Sequence, residues 1–490
     1  MRKIYLTIIL AMGLMVTSCD YLLDIEPEYT QDAENFFDTP EDYERALVGV
    51  YDLLQTSYLH IWIGEIASDN SIAGGESVND SRGLHEIDNM THGGVNTELR
   101  DIMRWNYAGI ARANYIFEHK DKIDFEGKDQ ILAEAKFLRA YYHFVLTTYF
   151  GDVPLVVDRR LSLSEVSASE RTPRVQVYAQ IEQDLNEAIN VLPDQQAETG
   201  RITKGAAIAL LGKVQLYQNK FGDAAQTLDR IISQNAAGYD LFPDFSTLFY
   251  VVNENNSEDV FTIQYSGQQG GDYGCFVCLQ GNPAVGFHGV RQYNGPLYGD
   301  GNSYNLPTQD LYDYFDGNDP RREATLLDID AFIAAQPNSG DISYAVGAGG
   351  HTGYYNNKYI KRLDERGLPD DDLTSPLNYR VIRYADVLLM AAEAFQQSGN
   401  DDRARTELNK VRQRVGMPAI NSSGTQLLQD IYRERRLELS GEGYRFFDLV
   451  RTGRAADVIQ GFVPGKHELF PIPQVEIDLA GGNWQQNPNY

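Results

Sequence analysis

"ALLGKVQLYQNKFGDAAQTLDRII", residues 209–232, has the pattern of two helices joined by a short turn. Gly212 is followed twelve residues later by Ala224, with Leu228 and Ile231 at helical spacing beyond. This small-residue spacing is typical of a tetratricopeptide hairpin, in which two helices approach closely. The stretch therefore predicts a helical scaffold.

A second stretch has the same organisation. In "LMAAEAFQQSGNDDRARTELNKV", residues 389–411, Ala391 and Ala392 precede Ala404 at comparable spacing. One match alone is weak evidence, but two matches in helical surroundings favour stacked helical hairpins.

Helical periodicity extends over much of the remaining chain. "TPEDYERALVGVYDLLQTS" begins with Thr39 as a predicted helix cap and Pro40 at the first helical position, followed by acidic residues. Further helices are predicted at about 98–119, 128–149, 174–191, 204–217, 221–234, 383–398, 401–415 and 424–440.

The character of the sequence changes between about 236 and 380, where Gly, Asn, Asp, Pro and Tyr dominate. Long irregular segments inside compact domains are usually functional. This segment concentrates aromatic residues, whereas a linker carries small polar ones. We therefore predict a helical scaffold at about 35–235 and 380–455 with a ligand-binding insertion between them. A tolerated surface insertion is the alternative.

The N-terminus has the features of a bacterial lipoprotein signal. Arg2 and Lys3 precede an apolar segment at 4–16, which is too short to span a bilayer. Thr17 and Ser18 then lead into Cys19. We predict that residues 1–18 are a signal peptide and that Cys19 is acylated, giving a stable lipid anchor. In the alternative, the signal is an ordinary secretory peptide and Cys19 has no special role.

The charge balance limits the partners. The formal net charge is −28, which repels phosphate backbones and makes nucleic acid a poor ligand. Tyrosine is abundant, at 31 residues, and an exposed tyrosine offers a flat apolar face with a polar tip, which suits sugars or peptides.

The remaining cysteines, Cys275 and Cys278, form one Cys-x-x-Cys motif. There is no second pair to complete a zinc site, so a local disulfide or two inert thiols are the alternatives. "HEIDN" at 85–89 does not complete a zinc-binding helix, and "DGNDP" at 316–320 lacks the ligand pattern of a calcium loop. We predict no metal and no cofactor.

Together, several stretches of this chain resemble the SusD/RagB family of outer-membrane glycan-binding lipoproteins, over essentially its whole length. They are "CDYLLDIEP" after the signal, "IASDN" (66–70), "ARANYIFE" (111–118), "AEAKFLRAYYHFVLTTYFGDVPLVV" (133–157), "YRVIRYADVLLMAAEAF" (379–395), "ERRLELSGEGYRFFDLVRTGR" (434–454), "FPIPQVEIDL" (470–479) and the terminal "QNPNY".

The resemblance implies a mostly α-helical, SusD-like fold in a single domain at 19–490. Four tetratricopeptide-like helical hairpins would pack against an irregular, loop-rich region with short strands. It also implies a lipoprotein of the Bacteroidota outer membrane that faces the cell exterior. Such a protein binds oligosaccharide or polysaccharide without catalysis and delivers it to a SusC-like TonB-dependent transporter.

The family uses loops of two regions for its ligands, here around 69–95 and 267–305. Sugars present apolar faces to aromatic rings and hydroxyl groups to polar side chains. The predicted ligand-binding residues are Asp69, Asn70, Arg82, His85, Phe287, His288, Tyr293, Tyr298 and Tyr304. Asp69 also has a structural interpretation, because it lies in a family-typical stretch.

Other family-typical residues are predicted to be structural. Trp105, Tyr107 and Asn114 follow a helical pattern and are expected in the scaffold. The charged residues of "EGYRFFDLVRTGR", which are Arg445, Asp448 and Arg451, are expected to form ion pairs that hold the last helix to the body.

Three other functions stay open at the level of the sequence. The ligand could be a peptide or derive from a glycoprotein, or the protein could support the transporter without binding a free ligand. A helical secreted glycoside hydrolase is the third. It needs two placed carboxylates, but 70 acidic residues give many apparent pairs, so "LPDDDLT" with Asp370, Asp371 and Asp372 is poor evidence and is interpreted as a solvated loop.

Overall fold

A computed structural model describes residues 36–268, 271–367 and 370–490 of the chain. The predicted signal peptide and Cys19 lie outside the described residues. Within the described ranges, no helix is both long enough and apolar enough to cross a membrane.

Helices dominate the described chain. The first begins at Pro40, where the Asp42 carboxylate accepts hydrogen bonds from the Thr39 backbone N–H (3.0 Å) and hydroxyl (2.9 Å), so the predicted cap is confirmed. The α-helices are Pro40–Asp52, Tyr58–Ile66, Arg82–Asp88, Thr97–Glu118, Lys128–Phe150, Leu163–Ala168, Arg174–Val191, Lys204–Tyr217, Phe221–Asp229, Pro283–His288, Gln309–Tyr314, Arg321–Thr325, Ile329–Ala334, Tyr384–Gln397, Asp401–Arg414, Gly424–Leu439, Arg445–Arg451, Ala455–Val458 and Gln474–Leu479.

The two stretches with small-residue spacing form the predicted helix pairs. A Cβ atom at position 212 would lie 2.5 Å from Leu228 Cδ2, so a larger residue there would displace the Leu228 side chain between the helices Lys204–Tyr217 and Phe221–Asp229. The second helix of this pair ends earlier than predicted, because Arg230–Gln234 continues as a π-helical turn. In the second pair the key alanines are fully buried.

Among the described residues, six short strands form three two-stranded antiparallel sheets. One sheet joins Ser71–Gly74 to Tyr304–Pro307 and so brings the two predicted ligand-binding regions together. The other two pair Asp259–Ile263 with Tyr379–Arg383, and Leu326–Asp328 with Tyr354–Asn356.

The loop-rich part also has a small core of its own, which contradicts two predicted ligand contacts. Tyr293 and Tyr298 are only 6% and 5% exposed. Their hydroxyl groups donate to Pro296 O (3.1 Å) and Asn357 Oδ1 (3.2 Å). Both tyrosines pack in an apolar cluster that also contains Val290, Leu306, Leu327, Ile329, Tyr355 and Ile360. They therefore stabilise the insertion and do not form part of its surface.

The ion pairs predicted for "EGYRFFDLVRTGR" are confirmed, and they hold the helix Arg445–Arg451, which two short helices follow. Asp448 accepts from Arg435 Nε (3.1 Å) and Arg451 Nε (2.8 Å), and Arg451 also donates to Glu393 at 2.6 Å. Arg445 pairs with Asp69. Buried arginine–carboxylate pairs thus connect elements that are distant in sequence.

The predicted scaffold residues lie as expected in the helix Thr97–Glu118. Trp105 and Asn114 are buried, and the Asn114 amide donates to Val156 O at 3.1 Å. Tyr107 is half-buried, and its hydroxyl donates to Pro154 O at 2.9 Å.

Candidate functional site

Asp69 and Asn70 are internal in this structure. The Asp69 carboxylate accepts from Arg445 Nε (2.7 Å) and Nη2 (2.8 Å), and Arg436 Nη2 lies 3.0 Å away. Burial alone would raise the pKa of Asp69, but these two guanidinium groups hold it below its ordinary value. Asn70 is fully buried between Glu65 Oε2 and Arg436 Nε, each at 2.9 Å. Both side chains are thus used inside the fold.

Arg82 and His85 lie on the short helix that follows. Arg82 is exposed over 80% of its side chain, and its Nε donates to Glu86 at 3.0 Å. His85 is half-buried, and its Nε2 atom has no hydrogen-bond partner among the described residues. Both remain able to contact a ligand, and their role stays a prediction.

His288 is also internal. It is fully buried, with Nδ1 3.1 Å from Tyr359 O and Nε2 3.2 Å from Asn305 Nδ2. Burial lowers the pKa of His288 to about 3, so the ring is neutral at any physiological pH. We do not retain Asn70 or His288 as ligand contacts, because neither has side-chain surface to offer.

Phe287 and Tyr304 belong to a larger group of aromatic rings. Phe287 is half-buried, with its ring centroid 5.4 Å from Trp62 and 5.3 Å from Tyr304. Phe276 lies 6.2 Å from Phe287, and Tyr273 lies 6.3 Å from Phe276. We call this group, together with Tyr58, the aromatic cluster; its members are Tyr58, Trp62, Tyr273, Phe276, Phe287 and Tyr304.

The aromatic cluster runs from the core to the surface. Tyr58 and Trp62 are buried on the helix Tyr58–Ile66, and Phe276 is half-buried. Tyr304 is 5% exposed, as little as Tyr298, so this predicted ligand residue lies at the inner end of the cluster and not at its surface. Tyr273 is 55% exposed, the one exposed large aromatic side chain among the described residues. Burial and the nearby acidic groups, Asp372 first, raise the pKa of Tyr273 to about 12, so its hydroxyl keeps its proton. The cluster therefore presents apolar faces and a neutral hydroxyl at its outer end.

The segment that carries Tyr273 and Phe276 is held by two local features. Cys275 and Cys278 are joined by a disulfide, with their Cα atoms 5.3 Å apart. The Gln55 amide donates to Val277 O at 3.0 Å, which ties the same turn to the helical scaffold. Phe276 is thereby fixed against Tyr58 and Phe287.

Carboxylates surround the cluster. The Tyr304 hydroxyl is hydrogen-bonded to Asp80, and burial with this contact raises the pKa of Tyr304. Glu98 and Asp101 lie on the first turns of the helix Thr97–Glu118, close enough for their charges to add to burial in raising the pKa of Tyr58. Burial raises the pKa of both acids as well, although hydrogen bonds from neighbouring groups oppose this effect.

One unsatisfied donor lies within the cluster. Trp62 Nε1 is buried and has no hydrogen-bond partner in the described part of the chain. A buried polar group without a partner is uncommon. The half-buried rings of Phe276 and Phe287 with exposed Tyr273 offer apolar faces for sugar C–H groups, and the carboxylates of Glu98 and Asp101 offer acceptors for sugar hydroxyl groups.

Of the aromatic cluster, the sequence-based prediction includes Phe287 and Tyr304 and leaves out Tyr58, Trp62, Tyr273 and Phe276. Trp62 and Tyr58 lie in a helix that has the pattern of core, and Glu98 and Asp101 are ordinary helix-start acids. The signal that could have found the outer end is the Cys-x-x-Cys motif, because Phe276 lies inside it and Tyr273 two residues before it. No group of three or more metal-ligating side chains occurs within the described ranges.

Comparisons with known proteins agree on one family. The family model described as "SusD family" matches residues 233–490, and a model described as "Starch-binding associating with outer membrane" matches residues 20–216. A curated relative, SusD-like protein P2 of Formosa agariphila, is 29% identical over the full length of both chains.

Solved structures give the same result. A laminarin-binding SusD-like protein superimposes with a TM-score of 0.84 at 36% identity, covering 92% of this chain and 99% of its own. Surface glycan-binding protein A from Bacteroides thetaiotaomicron, in complex with laminarihexaose, gives a TM-score of 0.80 at 27% identity over 92% of this chain and 100% of its own. The predicted mostly helical, tetratricopeptide-like fold class is confirmed.

Proposed function

The chain belongs to the SusD family, and from this premise we propose that it captures a glycan at the aromatic cluster and passes it, unmodified, to a SusC-like TonB-dependent transporter. Residues 19–490 would act as a single domain, held at the outer face of the outer membrane by acylated Cys19. Glycan binding is the part that the relatives support directly, since the solved structures bear the names of glycan-binding proteins.

The observation that carries the proposal is the aromatic cluster with its carboxylates. Phe276 and Phe287 are half-buried and so already ordered, and exposed Tyr273 extends the apolar surface outwards. A preordered ring loses little conformational entropy when a sugar stacks on it. Glu98 and Asp101 supply acceptors for sugar hydroxyl groups.

Neutral β-glucan of the laminarin type is the ligand to test first. One relative is named for laminarin binding and another was solved with laminarihexaose. The net charge of −28 also favours a neutral polysaccharide over an anionic one.

The test is affinity electrophoresis of residues 19–490, with Cys19→Ala to leave out acylation, through gels that contain laminarin or other neutral and charged polysaccharides. We expect retardation by laminarin, and its loss in Tyr273→Ala and Phe276→Ala. Phe221→Ala is the matched control, because Phe221 is a half-buried ring on the helical scaffold. Retardation that persists in both cluster variants would refute the site, and no retardation in any gel would favour a peptide ligand or a transporter-supporting role.

The non-catalytic and transport parts need separate measurements. We expect no release of reducing sugar from laminarin during prolonged incubation; release that scales with protein concentration would identify a hydrolase instead. We also expect a TonB-dependent transporter to co-purify with the protein from native outer membranes. A Cys19→Ala chain with its signal intact should lose membrane attachment.

A further inference from the structure

A second surface feature, which shares no lining residue with the aromatic cluster, lies along the helix Thr97–Glu118. It is a groove of about 720 Å³ between the helix Thr97–Glu118, the segment 154–169 and the C-terminal residues 475–484. Its floor is mainly apolar, with Tyr107, Ile110, Ala111, Val156 and Trp484 among the lining residues. We call it the apolar groove.

Apolar side chains extend the groove onto the open surface. Val475 and Leu479, which line it, are 44% and 45% exposed. Large apolar side chains that cluster on a surface usually mark a binding site, whereas isolated ones need no explanation. The groove therefore has the character of a surface that something covers.

The rim of the groove is basic, although the chain as a whole is strongly acidic. Arg100, Arg104 and Arg160 all line it together with one carboxylate, Glu476, and Arg160 is already paired with Glu118 at 2.9 Å, which leaves Arg100 and Arg104 as the available cations. Among the described residues, Arg104 has no carboxylate within ion-pair distance, and Arg100 pairs only with the adjacent Asp101. Spare guanidinium donors beside an apolar floor fit an occupant that alternates apolar and acidic side chains.

The described part of the chain begins at this rim. The Phe36 ring is stacked on Tyr115 with a centroid distance of 6.0 Å, and the Arg160 guanidinium lies 3.7 Å from the centre of the same Tyr115 ring. Phe36, the first described residue, therefore lies close to Arg160 at the rim of the groove. The sequence at 20–28, before Phe36, is "DYLLDIEPE", which combines four apolar side chains with four acids.

We propose that the apolar groove is the docking site for residues 20–28 of the same chain, with Leu22, Leu23 and Ile25 on its floor and the carboxylates at its arginines. The connection reaches far enough. The seven residues 29–35 can span up to about 24 Å, and the rise from Tyr115 to Arg104 along their helix is about 16 Å. Because Cys19 directly precedes the segment, docking fixes the body close to its point of attachment.

Hydrogen–deuterium exchange on residues 19–490 with Cys19→Ala tests this directly. We expect amides in 20–28 to exchange at least about tenfold more slowly than in the same peptide free in solution. Ala111→Trp, which fills the groove, should abolish this protection. Gln429→Trp is the matched control, because it places the same side chain at an exposed position on another helix, and it should leave the protection unchanged.

A second variant, in residues 20–28 themselves, controls for the case in which Ala111→Trp disturbs the fold. Leu22→Asp with Leu23→Asp should abolish the protection of 20–28 while the melting temperature of the body stays the same. Unprotected amides in the unmodified chain, or protection that Ala111→Trp leaves intact, would overturn the proposal. Protection that disappears on dilution would also overturn it, since the groove would then hold the tail of a second copy.

Discussion

Replacing Asp69 by alanine tests whether this residue serves the fold or the ligand. Its carboxylate is nearly enclosed and joins Arg445 to Arg436 through bonds of 2.7, 2.8 and 3.0 Å. In the alanine variant Arg436 keeps Asp310 at 2.7 Å, but Arg445 loses its carboxylate partner. A buried guanidinium is then left without a counter-charge.

The expected cost follows from this geometry. Removing one member of a buried ion pair typically costs about 3–5 kcal/mol, and we take ~3 kcal/mol because Arg436 remains paired. With an unfolding entropy of ~2.1 cal/mol/K per residue, a chain of 490 residues has ~1 kcal/mol/K in total. The melting temperature should therefore fall by about 3 °C.

The assay is thermal unfolding followed by circular dichroism, repeated over a pH series. Because the pKa of Asp69 is lowered in the folded protein, its contribution is fully present above its unfolded pKa of about 3.9 and is lost as the pH falls through the folded pKa. The difference between the two proteins should therefore hold at neutral pH and shrink below about pH 4.

A matched control is Asp124→Ala, which removes a 97% exposed carboxylate paired with Lys128 at 3.1 Å. It should change stability by less than about 0.5 kcal/mol. The reasoning would be refuted if Asp69→Ala had the same melting temperature as the unmodified protein. If such a variant also lost its affinity for laminarin, Asp69 would serve the ligand and not the fold.

Three further results are expected. Gly64→Ala should prevent stable folding or lower the melting temperature sharply, because its Cβ would lie 1.9 Å from Gly443 O, and soluble yield with circular dichroism measures this. Tyr293→Ala should cost about 3 kcal/mol by opening the small core, yet the folded fraction should bind laminarin normally in a titration below the melting temperature. Laminarin affinity should be highest at neutral pH and fall towards pH 4. Burial raises the pKa values of Glu98 and Asp101, so these carboxylates take up protons and lose their negative charge as the pH falls. An affinity that does not change down to pH 4 would exclude both residues from the site.

The helical scaffold could be predicted from the sequence because its signals are local. Thr39, Pro40 and Asp42 specify a helix start within four residues. Gly212 and Ala224 are small residues at the contact between two helices that follow each other in the sequence, so this signal is also local. Helix position follows directly from such patterns.

The loop-rich part was predicted less well because burial there depends on contacts distant in sequence. Tyr298 is covered through a bridge to Arg362 and a hydrogen bond to Asn357, each about 60 residues further on. His288 is enclosed between Asn305 and Tyr359. A tyrosine or histidine in a glycine-rich segment has the same sequence pattern whether its side chain faces solvent or a small core. The sequence therefore did not distinguish buried residues from exposed ones in this part of the chain.

Isothermal titration of laminarin into the unmodified protein and into the double variant Tyr273→Ala/Phe276→Ala tests the central claim most directly. Each lost ring contact is worth about 0.5–1.5 kcal/mol, so two should weaken binding by about fivefold or more. We predict saturable binding to the unmodified protein and at least that loss in the variant, with Phe221→Ala unchanged. Equal affinity in the unmodified protein and the double variant would contradict the account.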